Sequence, residues 1–195
     1  MPVKVVIINL DSALLKVDVS EVESKLKDIL GVEGDLKNLI AEALLKSSDQ
    51  SKAKAIDEVL KELEDKTAEE AEIDQEDLEA VCTLKAIGVK LALVTMRGRE
   101  STEKALEKIG LKGIFDVVVT RDDEPEKALQ IAKACSSLGY RVDEALYVGF
   151  SRADAIAGAQ AGCLVATPHR VLQALSQMIR VNSLHELLDI FRFTS

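Results

Sequence analysis

Residues Val3 to Leu10 read VKVVIINL, a β-branched run with almost no polar alternation, as expected of a strand buried on both faces. Similar short runs recur after about residue 78, each separated from the next by a stretch of helical periodicity. Leu91–Val94, Val117–Val119, Ala145–Val148 and Leu164–Ala166 read as strands. Leu78–Ile87, Ser101–Ile109, Pro125–Leu138 and Ala153–Ala161 read as helices, closed by Gly88, Gly110, Gly139 and Gly162. Asp74 or Asp77 is the candidate cap of the first. Two more helices are predicted after Ala166, the second opening with Ser183-x-x-Glu186 as a capping box. Alternation of this kind predicts an α/β fold, a Rossmann-like parallel sheet covered by helices on both faces.

Residues 18–77 break the alternation, because they hold amphipathic stripes and no strand candidate. Ser20 and Glu23 form a capping box ahead of Val22, Leu26, Ile29 and Leu30. Leu36, Leu39, Ile40 and Leu44 make a second stripe; Ile56, Val59, Leu60 and Leu63 make a third. A helical block set between the first strand and the rest of the sheet predicts a small all-helical cap, with the acid-rich segment Thr67–Glu76 as its return linker. Residues 1–17 and 78–195 are then the core domain. The charged runs of the insertion read as solvated helix faces.

Composition excludes several classes of function. A net charge of −9 and the absence of any basic cluster speak against nucleic acid, and an aromatic content of 3% leaves little for base stacking. No apolar run approaches membrane-spanning length, and the first apolar stretch runs into Asp11 as a core strand does rather than as a secretory leader does. Cys82, Cys135 and Cys163 sit in apolar surroundings without metal-ligand spacing, which predicts buried, reduced thiols in a cytoplasmic protein.

The landmarks in their order resemble the haloacid dehalogenase (HAD) superfamily. INLDSALL is similar to that family's first motif, LALVTMRGREST to its second, IGLKGIFDVVVTRDD to the approach to its third, and ALYVGFSRADAIAGAQAGC to its fourth. The helical block falls where the family inserts its cap. The resemblance implies a phosphate-binding hydroxyl at Thr95. In the family the first motif supplies two Asp residues, a nucleophile and a general acid/base; these correspond to Asn9 and Asp11. Its Gly-Thr corresponds to Ser12 and Ala13. The fourth motif's Mg²⁺-binding Asp corresponds to Phe150, while the later acid survives as Asp154. Lys127 is nearest to the third motif's lysine, though the usual Lys-Pro is absent.

These departures carry a chemical expectation. An amide does not attack phosphorus as a carboxylate does, and neither an amide nor a benzyl group replaces a carboxylate on a hard dication. They predict a pseudophosphatase without metal or other cofactor, which binds a small phosphorylated metabolite or inorganic anion, or a protein partner. Thr95, Lys127, backbone N–H groups after the first strand and the helix start after Phe150 would cradle the anion. The alternative is a HAD phosphohydrolase with weak or atypical activity on a small phosphorylated metabolite, working through Asp11, Asp154 and Thr95 and using Mg²⁺. A second alternative is a structural, oligomer-forming protein. Gly149-Phe-Ser151-Arg-Ala153 superficially resembles a serine-hydrolase elbow, but Asp189 and His185 follow in the wrong order. His185 and His169 have ordinary places at helix starts. Gly31-x-x-Gly34 lacks the strand and third glycine of a dinucleotide site.

Overall fold

The computed structural model describes residues 3–15, 24, 27–28, 50–168 and 178–192. Its strands are β1 (Val5–Asn9), β2 (Lys90–Val94), β3 (Val117–Val119), β4 (Ala145–Val148), β5 (Leu164–Thr167) and β6 (Met178–Arg180). Its α-helices are α1 (Gln50–Glu69), α2 (Gln75–Ala86), α3 (Arg99–Lys108), α4 (Lys127–Leu138), α5 (Arg152–Ala161) and α6 (Leu187–Arg192). The strands form one parallel sheet in the order β3-β2-β1-β4-β5-β6. The α/β class and the five strands expected from the sequence are present.

The period-2 geometry of a strand sorts the apolar runs onto two faces. Val6, Ile8, Leu91, Leu93, Leu146 and Val148 point to a core shared with α2, α3 and α6. Val5, Ile7, Ala92, Val94, Ala145 and Tyr147 point to a second core under α4 and α5. Small residues let α5 lie close: a Cβ on Gly158 would sit 2.5 Å from Val165 Cγ2 and 3.0 Å from Tyr147 Cδ1. From β1 the chain first fills one side of the sheet, through β2 and β3, and then crosses to β4 on the other. The order therefore reverses between β1 and β4, and a crevice opens at the carboxyl ends of the strands at such a switch point.

Several local expectations are corrected. Met178–Arg180 is an edge strand on β5 that the sequence pattern does not predict, because Met178 to Arg180 pair with Val165 to Thr167; residues 169–177, where the first of the two helices expected after Ala166 would fall, lie outside the described residues. The Ser183 capping box does not form. The carboxylate of Asp77, inside α2, accepts the Leu184 and His185 N–H groups, and Glu186 accepts from the Asn182 N–H, so helix begins only at Leu187. Helix also runs through Thr67–Glu69 and resumes at Gln75, leaving residues 70–74 as the irregular connection. Cys82 is exposed, whereas Cys135 is buried and Cys163 half-buried. Burial pushes the Cys135 and Cys163 thiols up to about 11 and about 12. Among the described residues no helix is long and apolar enough to cross a membrane. The Ser20–Glu23 box, the first stripe (Val22, Leu26, Ile29 and Leu30), the stripe Leu36–Leu44, Gly31-x-x-Gly34 and His169 also lie outside them.

Asp116 ties the entry of β3 to β2. It accepts the Leu91 N–H at 2.9 Å and pairs with Lys85 at 2.9 Å and Lys90 at 3.2 Å. Partial burial acts against its charge, but these three donors prevail and lower its carboxyl from 3.8 to about 2. A carboxyl depressed in the folded state stabilises above its unfolded value and loses that contribution as pH falls through the folded one. Asp116→Asn is therefore expected to cost about 2 kcal/mol in urea unfolding at neutral pH. The difference from wild type should shrink below about pH 4 and vanish near about pH 2; a pH-independent difference would refute the pairing.

Candidate active site

The site begins where β1 ends. A π-helical turn, Leu10–Leu14, follows Asn9 and turns the chain over the sheet edge. Asn9 is buried; its Oδ1 accepts the Asp11 N–H at 3.0 Å, and its Nδ2 donates to Asp154 Oδ1 at 2.6 Å and Tyr147 Oη at 3.2 Å. These partners fix the amide orientation. The reverse would set NH₂ against an N–H and the carbonyl against a carboxylate.

Asp154 is the hub. It lies in the first turn of α5, where Ser151 caps the helix and shares a capping box with it. Its side chain is fully buried and receives donors on both oxygens. Oδ1 accepts from Asn9, from the Tyr147 hydroxyl at 3.0 Å and from Lys127 Nζ at 2.8 Å. Oδ2 accepts from Ser12 Oγ at 2.8 Å, from the Ser151 N–H at 3.0 Å and from the Ser151 hydroxyl. Gly149 is required for this approach, since a Cβ there would lie 2.5 Å from Asp154 Cβ. Burial and the adjacent Asp154 carboxylate push the Tyr147 hydroxyl well above 10, so it remains a donor. Lys127 is the first residue of α4, which sets it at the carboxyl edge of the sheet; only 14% of its side chain is exposed. It is a half-buried ion-pair partner of the fully buried Asp154.

Asp11 belongs to a second cluster. The Thr95 hydroxyl, at the end of β2, donates to its Oδ2 at 2.7 Å and accepts the Arg97 N–H at 3.1 Å. Arg97 Nε donates to Asp11 Oδ1 at 2.5 Å. Burial favours the neutral acid, but the Arg97 guanidinium and the Thr95 hydroxyl outweigh it and hold the Asp11 carboxyl below 3.8. Asp11 is thus ionised at neutral pH, with 33% of its side chain exposed. Arg97 is anchored in turn: its Nη1 donates to Thr67 Oγ1 at 2.7 Å, Glu64 O at 3.1 Å and Ser101 Oγ at 3.3 Å. Glu64 accepts the Gly98 N–H and pairs with Arg121, while its burial acts more strongly and pushes its carboxyl up. Helix α1, which packs on α3, is tied through these contacts to the loops after β2 and β3.

The structure brings Asn9, Lys127 and Asp154 into one hydrogen-bonded group and Asp11 with Thr95 into another. The expected anion cradle is changed, because most of its donors are already engaged. The Asp11 N–H serves Asn9, the Phe150 N–H serves Ser12 at 3.2 Å, the Ser151 N–H serves Asp154, and Thr95 serves Asp11. Phe150 packs against the larger core cluster. Sequence reasoning missed Arg97, Ser12, Tyr147 and Glu64. Arg97 stood two residues after Thr95 in the second motif, and its basic charge beside a motif hydroxyl was the available signal.

Mg²⁺ demands an octahedral shell of oxygens at about 2.0–2.1 Å. The residues here do not fit it. Asn9 turns an NH₂ group toward Asp154, Phe150 offers no ligand, and Lys127 already sets a cation on Asp154 Oδ1. A carboxylate has about four lone-pair directions, and the Asn9, Tyr147, Lys127, Ser12 and Ser151 donors fill them.

A parallel sheet with acidic, hydroxyl and lysine side chains at its switch point agrees with the sequence comparisons. The profile of the haloacid dehalogenase-like hydrolases matches residues 7–167. The chain belongs to this family. Among relatives of this haloacid dehalogenase-like hydrolase is the pyrophosphatase PpaX of Halalkalibacterium halodurans, 38% identical over 94 residues, which are 45% of this chain and 42% of that protein. The phosphoglycolate phosphatase of Chromobacterium violaceum is 30% identical over 115 residues, 56% of this chain and 52% of that protein. The chain spans about half the length of the curated relatives it matches. Two solved structures share the fold. One is a haloacid dehalogenase-like hydrolase from Streptococcus pneumoniae (15% identity, TM-score 0.72, 97% of this chain and 98% of that one). The other is a HAD phosphatase from Thermococcus onnurineus (22% identity, TM-score 0.65, 96% and 97%).

The relatives overturn the expectation of an inert pseudophosphatase, since both sequence relatives are named as phosphate-releasing enzymes. That expectation weighed Asn9 and Phe150 alone. It gave no weight to Arg97, which keeps the partly exposed Asp11 ionised.

Removing one partner of a buried ion pair typically costs about 3–5 kcal/mol. Asp154→Ala strips Lys127, Asn9, Tyr147 and Ser12 of a shared acceptor, and a loss in that range is expected in urea unfolding. Gly149→Ala should weaken the fold through the same contact. If Asp154→Ala unfolds at the wild-type midpoint, the hub has been misassigned.

Proposed function

We propose that this family member is a phosphohydrolase of small phosphorylated metabolites that uses Asp11 as a general base on water. The observation that carries the reading is the Asp11 carboxylate, ionised and one-third exposed at the switch-point crevice, with the Lys127 ammonium in the same cleft edge. The names of the relatives support it. In this reading a water on Asp11 gives up a proton to the carboxylate as its oxygen forms a bond to phosphorus. The bond from phosphorus to the leaving oxygen, on the opposite side of the phosphorus, breaks; that oxygen takes its proton from water, and Asp11 gives the proton it accepted back to solvent. The products are inorganic phosphate and an alcohol, or a second phosphate where the substrate is pyrophosphate.

Thr95 and Arg97 position Asp11 and hold it charged; Lys127 offsets the charge of the phosphoryl group. In this reading the helical block expected over residues 18–77 serves as the cap, and Arg97 couples its helix α1 to Asp11. The cytoplasm suits three cysteines of which none forms a disulfide.

A generic aryl phosphate and a panel of small phosphate esters test the reading. Hydrolysis is expected, and Asp11→Asn should lower kcat by roughly 10²–10⁴-fold, the usual contribution of general base catalysis. Because Asp11 is held below 3.8, its protonation should not impose an acid limb on kcat/KM above that value. Wild-type turnover by Asp11→Asn, or no hydrolysis of any ester in the panel, would sink the proposal.

A further inference from the structure

The mismatch between this site and a magnesium ion points to a built-in replacement. We propose that the Lys127 ammonium is the resident cation of the site, so that phosphate-ester hydrolysis here needs no divalent metal. This rests on the phosphohydrolase reading above and deepens it.

Three independent features converge on Lys127. First, its Nζ lies 2.8 Å from Asp154 Oδ1, the oxygen that a metal would otherwise have to share. Second, that oxygen also takes donors from Asn9 and Tyr147, and its partner oxygen takes donors from Ser12 and Ser151. A dication arriving at Asp154 would have to displace hydrogens that point at the carboxylate from several elements. Third, the amide of Asn9 is locked by the Asp11 N–H, so it cannot turn its carbonyl toward a metal without stranding that N–H. Phe150, which offers no ligand atom, packs against the larger core cluster.

The charges agree. Asp11 is matched by Arg97 and Asp154 by Lys127, so the carboxylates of the cleft are balanced from within the chain. An ammonium carries three donors, and one of them is directed at Asp154 in the structure. A lysine in this seat is a preorganised point charge for a phosphoryl oxygen and requires no proton transfer of its own. Its chemical role is electrostatic: it stabilises charge on phosphorus-bound oxygens while Asp11 handles the proton.

The proposal is tested on the wild-type chain by two separate readouts. In the first, Mg²⁺ is titrated into the labelled protein and the backbone amides of Asn9 to Ser12, Lys127 and Gly149 to Asp154 are followed by NMR. Shifts no larger than those from potassium chloride at equal ionic strength are expected. Saturable, Mg²⁺-specific shifts clustered at those residues would overturn the proposal, whether or not any substrate is turned over. In the second, aryl phosphate hydrolysis is measured in EDTA and in excess Mg²⁺. Equal rates are expected; a rate lost in EDTA and restored by Mg²⁺ would overturn it. Lys127→Met should lower kcat by roughly 10²-fold with no rescue by Mg²⁺, and Lys127→Arg should recover part of the loss. An undiminished rate in Lys127→Met would also overturn it. If no condition gives hydrolysis, the phosphohydrolase reading fails, and the NMR titration alone decides whether the ammonium excludes the metal.

Discussion

The buried carboxylate of Asp154 organises this molecule's business end. A charge removed from water is tolerable only where ion pairing and hydrogen bonds replace its hydration. Asp154 meets that demand by drawing donors from the end of β1, the turn after it, β4, the cap of α5 and the start of α4. Each of those elements is brought to the sheet's carboxyl edge by the parallel topology. The carboxylate then locks their relative positions, since a shift of any one strands a polar group in the interior. Gly149 belongs to this constraint, because a side chain there would push α5 off the strand.

A second constraint runs from Arg97. Its guanidinium spans the interval between Asp11 and helix α1, so the charge state of the proposed base and the docking of the inserted helix share one side chain. Glu64 and Arg121 reinforce that junction from the other side of the loop after β2. Helix α1 and Asp11 are thereby joined through one guanidinium, so a displacement of α1 would be felt at Asp11. Each cluster pairs its carboxylate with a cation from within the chain, Asp11 with Arg97 and Asp154 with Lys127.

Much of the architecture was legible in the chain before any coordinates. β1, β2, β4 and β5 were readable because apolar, β-branched runs of strand length alternate with helices ended by glycine, and burial on two faces leaves few other options. β6 was not, because Met178-Ile-Arg180 is too short and too mixed to signal a strand until β5 offers it an edge. The Ser183 box was misread for a related reason: a distant carboxylate, Asp77, captured the same N–H groups. Local capping signals report an intention that a long-range acceptor can override.

For the site, the chain's resemblance to the family's motifs singled out Asn9, Asp11, Thr95 and Asp154, with Phe150 at the family's ligand position. Strand periodicity added that these residues stand at strand ends, which a parallel sheet gathers along one edge. What those residues do was decided by tertiary structure. The orientation of the Asn9 amide, the Lys127–Asp154 pair and the Arg97 grip on Asp11 join residues 27 to 145 positions apart. A hydrogen bond depends on distance and angle, and no one-dimensional pattern specifies either across such separations.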